Sequence, residues 1–150
     1  MTQEVRILVV DDETSVLESF KMILKIKDYE VDTYVTGNDA LANFGKGKYD
    51  IAFVDMILPM VAEDNKRVEK GGLEVLKRIK LIDPDIEVNI VTAYATDATH
   101  ANAISLGAME YLRKPFLMEE IYELVDRGLK RRRAKGIKKS PSAPPPTEIH

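Results

Sequence analysis

The chain has 150 residues, of which 45% are hydrophobic and 31% are charged, a composition typical of one globular domain rather than of a disordered or membrane-spanning chain. It contains no cysteine, which excludes a disulfide framework and a thiolate metal site. The net charge of −3 combines an acidic body with a basic run at residues 127–139, so the body is not expected to bind nucleic acid directly.

The first residues, MTQEVRILVV, lack the long apolar core and the small-residue cleavage site of a signal peptide. No segment approaches the roughly 20 consecutive apolar residues that span a bilayer. We therefore expect a cytoplasmic protein without membrane contact. The basic run is interpreted as a solvated helix end, with contact to phosphates or anionic lipid as the alternative.

Apolar runs and helical patterns alternate along the chain. Runs at residues 5–10, 30–35, 51–54, 86–91 and 109–112 predict strands, and three of them are nearly continuous, as in parallel strands covered on both faces. Apolar stripes at helical spacing follow the first, third and fifth strands. The segments around 38–46 and 96–106 are weaker, and the stripe of the second consists mainly of Ala101 and Ile104. This alternation predicts an α/β domain with a parallel sheet.

The C-terminal residues differ in kind from the rest. We assign residues 1–133 to the folded domain. Residues 134–150 become rich in Pro and Ser and lose all periodicity, which is typical of a linker or a disordered tail. Such a tail either ends a small protein or leads into a further domain.

Polar side chains stand where the predicted strands end. Asp11 and Asp12 follow the first strand, Asp55 the third, Thr92 the fourth and Lys114 the fifth. Ligands of open α/β sheets bind at this carboxyl edge, so these side chains are expected to converge. Converging carboxylates repel one another unless a cation lies among them, and Mg²⁺ prefers oxygen ligands. A hydroxyl and an ammonium opposite the ion suit phosphate oxygens, so the set predicts phosphoryl transfer.

Each of these residues also has a purely structural interpretation. The two adjacent aspartates are suitable N-caps for the helix that follows, and Asp55 suits a turn ahead of a proline. Taken singly, Thr92 is a strand-end hydroxyl and Lys114 a surface lysine. Their joint placement on four strand ends in one register favours the functional interpretation.

In these strand-end residues and in the motifs that contain them, the sequence resembles the receiver domains of response regulators, the phosphoacceptor modules of two-component signalling. The matching motifs are VVDDE (9–13), FVDMILPM (53–60), GGLEVL (71–76), VTAY (91–94) and EYLRKPF (110–116), which cover roughly residues 4–130 in the family's order. The resemblance implies a flavodoxin-like three-layer sandwich, in which five helices flank a five-stranded parallel sheet of order 2-1-3-4-5.

The resemblance also implies roles for the acidic residues. Asp55 would accept a phosphoryl group from the phosphohistidine of a histidine kinase or a phosphotransfer protein. Mg²⁺ would be ligated directly by Asp12, by Asp55 and by the backbone carbonyl of Ile57, and chiefly through water by Asp11.

The remaining motif residues would hold and report the phosphoryl group. Thr92 and Lys114 would bind its oxygens, and Tyr111 would turn inward as Thr92 moves on phosphorylation. The bond between Lys114 and Pro115 is cis in the family.

The resemblance implies a signalling switch rather than an enzyme that turns over a substrate. Its partners would be a histidine kinase and an output domain or downstream protein, and it would dimerise through the fourth helix, fifth strand and fifth helix. One alternative is an aspartate-nucleophile phosphohydrolase acting on small molecules. Another is a receiver fragment of a multidomain transcription factor or hybrid kinase.

Two features depart from the family's pattern. The loop after Pro59 carries about nine extra residues, Ala62–Lys70, interpreted as a tolerated surface insertion, with a lid or partner-contact element as the alternative. Ile57 and Tyr94, at positions that modulate dephosphorylation in the family, lack a carboxylate or amide to orient a water. A phosphoryl lifetime of minutes or more is therefore expected.

His100 is expected to be a surface residue.

Overall fold

The computed structural model describes residues 4–59 and 71–137. The insertion Ala62–Lys70 and residues 138–150 of the predicted tail lie outside the described residues. The strands are β1 (Arg6–Val10), β2 (Glu30–Tyr34), β3 (Ile51–Asp55), β4 (Glu87–Thr92) and β5 (Glu110–Arg113). The helices are α1 (Thr14–Lys25), α2 (Gly37–Ala42), α3 (Gly71–Ile82), α4 (Asp97–Ser105) and α5 (Met118–Ala134).

The described strands form one parallel sheet in the order β2-β1-β3-β4-β5. This confirms the fold expected from the sequence, and each predicted strand lies within about one residue of its position. β1 and β3 are central and their residues are almost completely buried, as their continuous apolar runs require. The topology reverses between β1 and β3, which is where open α/β sheets bind ligands.

Two apolar cores cover the faces of the sheet. On one face α1 and α5 pack through residues such as Phe20 and Ile121, and on the other α2 and α3 pack through residues such as Ala40 and Leu76. The fourth helix differs from the prediction. Ala101 and Ile104 are exposed, and Ala103 is the residue of α4 that is buried. Burial of one small side chain leaves this helix with little apolar anchorage.

The C-terminal half of α5 is fixed by ion pairs at the amino edge of the sheet. Arg132, which is 4% exposed, lies 3.3 Å from Asp50 and donates a hydrogen bond to the carbonyl of Asp85. Glu87 accepts from Arg131 at 3.1 Å and from Lys135 at 3.4 Å. Part of the basic run therefore neutralises acids of the domain body, a role that its composition alone did not indicate.

Gly72 brings the start of α3 against the end of β3. Its N–H donates to the carbonyl of Met56 at 2.8 Å. A Cβ at this position would lie 2.0 Å from the carbonyl oxygen of Asp55 and 2.6 Å from the Cα of Met56, and neither backbone atom can move without displacing the strand end. The glycine is therefore required by close approach of two backbones.

We expect Gly72→Ala to lower the free energy of unfolding by about 1–3 kcal/mol, because the added methyl forces α3 away from the end of β3. Gly45→Ala is the matched control, since a Cβ there meets nothing within 4 Å, and it should change stability by less than about 0.5 kcal/mol. Urea unfolding followed by circular dichroism measures both. Equal midpoints for the two variants would contradict the close-approach argument.

Candidate functional site

The strand ends place the predicted residues along one edge of the sheet. Asp55 is the last residue of β3 and Thr92 the last of β4, while Asp11 and Lys114 directly follow β1 and β5. Register fixes their neighbourhood, because β1 pairs with β3, β3 with β4, and β4 with β5. β2 lies at the outer edge of the sheet, and Thr36 beyond it caps α2 instead of entering the site.

Three aspartates form the acidic part of the site. Asp11, Asp12 and Asp55 each offer a carboxylate oxygen, and these oxygens lie within 4.8 Å of one another. Asp11 is 1% exposed and Asp55 is 5% exposed, so most of this negative charge is withdrawn from water. Buried carboxylates at such separations require a compensating cation.

Lys114 supplies a positive charge between the carboxylates. Its Nζ atom lies 2.8 Å from Asp11 Oδ2, 3.2 Å from Asp55 Oδ2 and 3.3 Å from Glu13 Oε1. The lysine side chain is 13% exposed, so the interpretation of Lys114 as an ordinary surface lysine is wrong. It follows β5 directly, ahead of a cis peptide bond to Pro115.

The balance of burial and neighbouring charges raises the pKa values of Asp11, Asp55 and Lys114. Burial, and then the charge of Asp11, raise the pKa of Asp55 to about 6, against the opposing effect of Lys114. Burial likewise raises the pKa of Asp11, although Lys114 opposes it. Burial disfavours the charged Lys114, but its bonds to Asp11 and the charge of Asp55 outweigh this and raise its pKa. Lys114 therefore keeps its proton and its positive charge, and the neighbouring carboxylates bind protons more readily than ordinary aspartates do.

The two adjacent aspartates do not cap α1. The N-cap position is held by Glu13, which makes no side-chain capping bond, and Asp11 instead accepts a hydrogen bond from the Glu13 N–H at 2.9 Å. This bond orients the Asp11 carboxylate toward the edge of the sheet. The capping interpretation of Asp11 and Asp12 is therefore wrong for this helix.

The side chains of Asp55 and Thr92 each accept a hydrogen bond from a backbone N–H two residues further along the chain. The Ile57 N–H donates to Asp55 Oδ1 at 3.3 Å, and the Tyr94 N–H donates to the Thr92 hydroxyl at 3.0 Å. Thr92 is 1% exposed, whereas the Tyr94 side chain is 73% exposed. The Thr92 hydroxyl is thus held by its own loop.

Tyr111 connects the end of β3 with α4. Its hydroxyl lies 2.8 Å from the hydroxyl of Thr99 and 3.0 Å from the sulfur of Met56, the residue after Asp55. Thr99 forms the capping box of α4 with Thr96, so Tyr111 contacts the first turn of that helix. The positions of Tyr111 and Asp55 are linked through Met56.

His100 is exposed, as expected, but it also contacts this connection. Its ring stacks on Tyr111 with centroids 5.2 Å apart, and its Nε2 lies 3.5 Å from Glu110, which also pairs with Arg127 at 2.9 Å. A lone histidine on a weakly patterned helix gave no signal of these contacts. Glu13, by contrast, stands beside Asp12 within a motif, and that position was a usable signal.

A groove of about 480 Å³ opens beside Lys114, between α1 and the loop after β5. It joins apolar surface to a few polar groups at the acidic site. Its lining residues are Glu13, Ser15, Val16, Ser19, Ala93, Lys114, Pro115 and Phe116.

The donor set fits a hard divalent cation. All three aspartates present oxygen, which Mg²⁺ prefers, and an octahedral ion with bonds of about 2.1 Å spans ligands up to about 4.2 Å apart. Their separation of up to 4.8 Å therefore needs only a small contraction.

None of the helices in the described part of the chain combines the length and apolar content needed to cross a membrane.

Comparison with known proteins agrees with this geometry. The model of the response regulator receiver domain family matches residues 7–126. The transcriptional regulatory protein DltR of Streptococcus agalactiae is 34% identical over 116 residues, which cover 77% of this chain and 48% of that protein. The transcriptional regulatory protein ZraR of Salmonella typhimurium is 31% identical over 133 residues, covering 89% of this chain and 28% of that protein.

Solved structures agree as well. A CheY-like response regulator receiver domain protein from Methanospirillum hungatei superposes with a TM-score of 0.77 and 28% identity, over 88% of this chain and 98% of that one. The BeF3-activated receiver domain of DrrB gives a TM-score of 0.73 and 27% identity, over 85% of this chain and 99% of that one. The chain spans about half the length of DltR and less of ZraR.

We expect Asp55→Asn to stabilise the metal-free protein at pH 8 by on the order of 1–3 kcal/mol. The raised pKa of Asp55 means that its carboxylate form opposes folding above about pH 6, and that this penalty fades as the pH falls toward 3.8, the ordinary pKa of an aspartate in an unfolded chain. The difference between variant and wild type should therefore shrink between pH 8 and pH 4.

Urea unfolding in EDTA at several pH values measures this difference. Asp126→Asn, at an exposed position of α5, is the control and should stay within about 0.5 kcal/mol of wild type. A wild type that is as stable as Asp55→Asn at pH 8 would contradict the electrostatic description of the site.

Proposed function

The chain belongs to the response regulator receiver domain family, and on that premise we propose that it is a phosphoacceptor switch with Asp55 as the acceptor. The observation that carries the assignment is the position of Asp55, a nearly buried carboxylate at a strand end, bonded to Lys114 and grouped with two further aspartates. This is a signalling role in which the protein acts on itself. Nothing in the described residues favours a small-molecule phosphohydrolase.

The proposed reaction transfers a phosphoryl group from a phosphohistidine of a histidine kinase or phosphotransfer protein. An Asp55 carboxylate oxygen attacks phosphorus, a P–O bond forms, and the P–N bond breaks as the imidazole leaves with a proton from solvent. A carboxylate is a weak nucleophile, so neutralising the charge that gathers at phosphorus supplies most of the catalysis. Lys114, 3.2 Å from Asp55, provides one neutralising charge.

Asp11, Asp12 and Asp55 would hold Mg²⁺, with the carbonyl of Ile57, and the bound ion would supply further charge neutralisation at the phosphoryl oxygens. The Ile57 N–H already bonds Asp55, which places this residue beside the acceptor. Of these carboxylates, that of Asp11 lies closest to Lys114 Nζ, which supports the expectation that Asp11 reaches the ion chiefly through water.

The switch would operate through Thr92 and Tyr111. A phosphoryl group on Asp55 offers the proton of the Thr92 hydroxyl a charged acceptor, and because the Thr92 oxygen accepts from the Tyr94 N–H, Thr92 and Tyr94 would move together. Tyr111 contacts both Met56 and Thr99, and movement there would change the packing of α4. The single buried side chain of α4 makes this helix the element that such a change would shift most easily.

We assign the phosphodonor to the groove beside Lys114, because this lysine contacts Asp55 and the groove offers apolar and hydroxyl contacts on α1. The relatives are transcriptional regulators longer than this chain, which supports an output domain or downstream protein as the receiver of the signal. Dimerisation through α4, β5 and α5 is part of the proposal. The lack of cysteine supports a cytoplasmic location.

Incubation with acetyl phosphate and Mg²⁺ should attach one phosphoryl group per chain, and Asp55→Asn should abolish it. Intact-protein mass spectrometry measures the product, and beryllofluoride with Mg²⁺ should produce the corresponding shift in an NMR spectrum. Asp126→Asn should label like wild type. Label that survives Asp55→Asn, or that resists acid as a phosphate ester would, overturns the proposal.

The phosphoryl group should last minutes or more at neutral pH with Mg²⁺, because Ile57 and Tyr94 are bulky and offer no carboxylate or amide to orient an attacking water. Ile57→Asn should shorten the lifetime several-fold by adding such an amide beside Asp55. Ile57→Leu, which keeps the apolar character, should leave it unchanged. Quenched samples analysed by mass spectrometry give the decay, and loss of label from wild type within seconds refutes the prediction.

A further inference from the structure

Lys114 has a third carboxylate partner, Glu13, on the solvent side of the site. Its distance of 3.3 Å from Lys114 Nζ is close to the 3.2 Å of Asp55. The side chains of Asp11 and Asp55 are 2% and 7% exposed, whereas that of Glu13 is 49% exposed. The ammonium therefore lies between an inner pair of carboxylates and an outer one.

Glu13 occupies a position where its side chain does no local structural work. It is the N-cap residue of α1, where Ser, Thr, Asp or Asn is preferred, and its carboxylate makes no capping bond. That carboxylate instead reaches Lys114, one hundred and one residues away in the sequence. A residue that departs from a local preference without a local gain is often a functional one.

We propose that Glu13 is a positioning residue that holds the Lys114 ammonium at the rim of the site while the inner aspartates are engaged with Mg²⁺. The inference rests on the proposed function. When Asp11 and Asp55 face a divalent cation, Lys114 is repelled by that charge and loses part of its pairing with them. Glu13 stands outside the group of three aspartates, so its charge stays available to Lys114.

An outer partner matters because lysine is long and flexible. A Lys114 released from the inner carboxylates would spread over many rotamers, and ordering it again would oppose phosphoryl transfer. Paired with Glu13, the ammonium stays beside Asp55 and ready for the phosphoryl oxygens. Glu13 also lines the groove assigned to the phosphodonor, so the held ammonium borders the entry path.

The test is a double-mutant cycle on Mg²⁺ affinity, measured by isothermal titration calorimetry without any phosphodonor. Glu13→Gln should weaken Mg²⁺ binding about two- to fivefold, the effect of losing one partly exposed ion pair. In a Lys114→Met background the same substitution should change affinity by less than about 1.5-fold, because the residue it acts through is gone. Glu18→Gln, which removes a charge of α1 that pairs with Lys21, is the matched control and should leave affinity unchanged.

Three results of the cycle overturn the inference. Equal weakening in both backgrounds means that Glu13 attracts the ion directly. Unchanged affinity in Glu13→Gln means that it does not support the loaded site. Tighter binding means that Glu13 holds Lys114 in the way of the ion. These leave the proposed function standing, whereas a wild type that binds no Mg²⁺, or binding that survives Asp55→Asn unchanged, overturns both.

A second measurement follows the lysine itself. In saturating Mg²⁺, limited acetylation with acetic anhydride should modify Lys114 several-fold faster in Glu13→Gln than in wild type, because the ammonium is no longer held. The exposed Lys77 of α3 serves as the internal reference in the mass spectra. An unchanged ratio of Lys114 to Lys77 modification overturns the inference.

Discussion

Burial of several carboxylates at one edge of the sheet is the constraint on which the rest of the site depends. Asp11 and Asp55 are nearly inaccessible to water, and such charges persist only beside a compensating cation. Lys114 meets that need, so the ends of β1, β3 and β5 are tied together by one ammonium. Burial, and then the charge of Asp11, raise the pKa of Asp55, and the excess of negative over positive charge explains why a divalent cation fits. Neither property requires anything beyond the packing of three parallel strands in register.

The opposite edge of the sheet shows what a balanced arrangement looks like. There Asp50, just before β3, pairs with Arg132, and Glu87, at the start of β4, pairs with Arg131 and Lys135, so these acids are matched by bases at the C-terminal end of α5. Removing one partner of a buried pair is strongly destabilising, which fixes the end of α5 on the domain. The acids at this edge are therefore paired with bases, whereas the edge that carries Asp11 and Asp55 has an excess of negative charge.

The sequence predicted most of the fold and the grouping of charged side chains at the carboxyl edge of the sheet, for identifiable reasons. Continuous apolar runs such as IAFV identify buried parallel strands, and the carboxyl edge of such a sheet is where Asp11, Asp55 and Lys114 come together. It did not predict the partners of the basic run or the stacking of His100 on Tyr111, because these contacts depend on side-chain reach between segments distant in the chain. It also misassigned the buried face of α4, since a helix with one buried alanine has too weak a pattern to orient.

The small apolar contact of α4 with the core bears on how the charge imbalance at Asp55 could act on the rest of the domain. A switch needs an element whose two packings differ by only a few kcal/mol, and an element with a large apolar face would not shift in response to one bond. Here the bond from Tyr111 to Thr99 joins the first turn of α4 to Met56, directly after Asp55. The strongly held part of the domain is the sheet with α5, and the loosely held part is the helix that this tyrosine contacts. In the proposed switch, a change in charge at Asp55 would therefore act on α4, the described helix with the least apolar burial to oppose a shift.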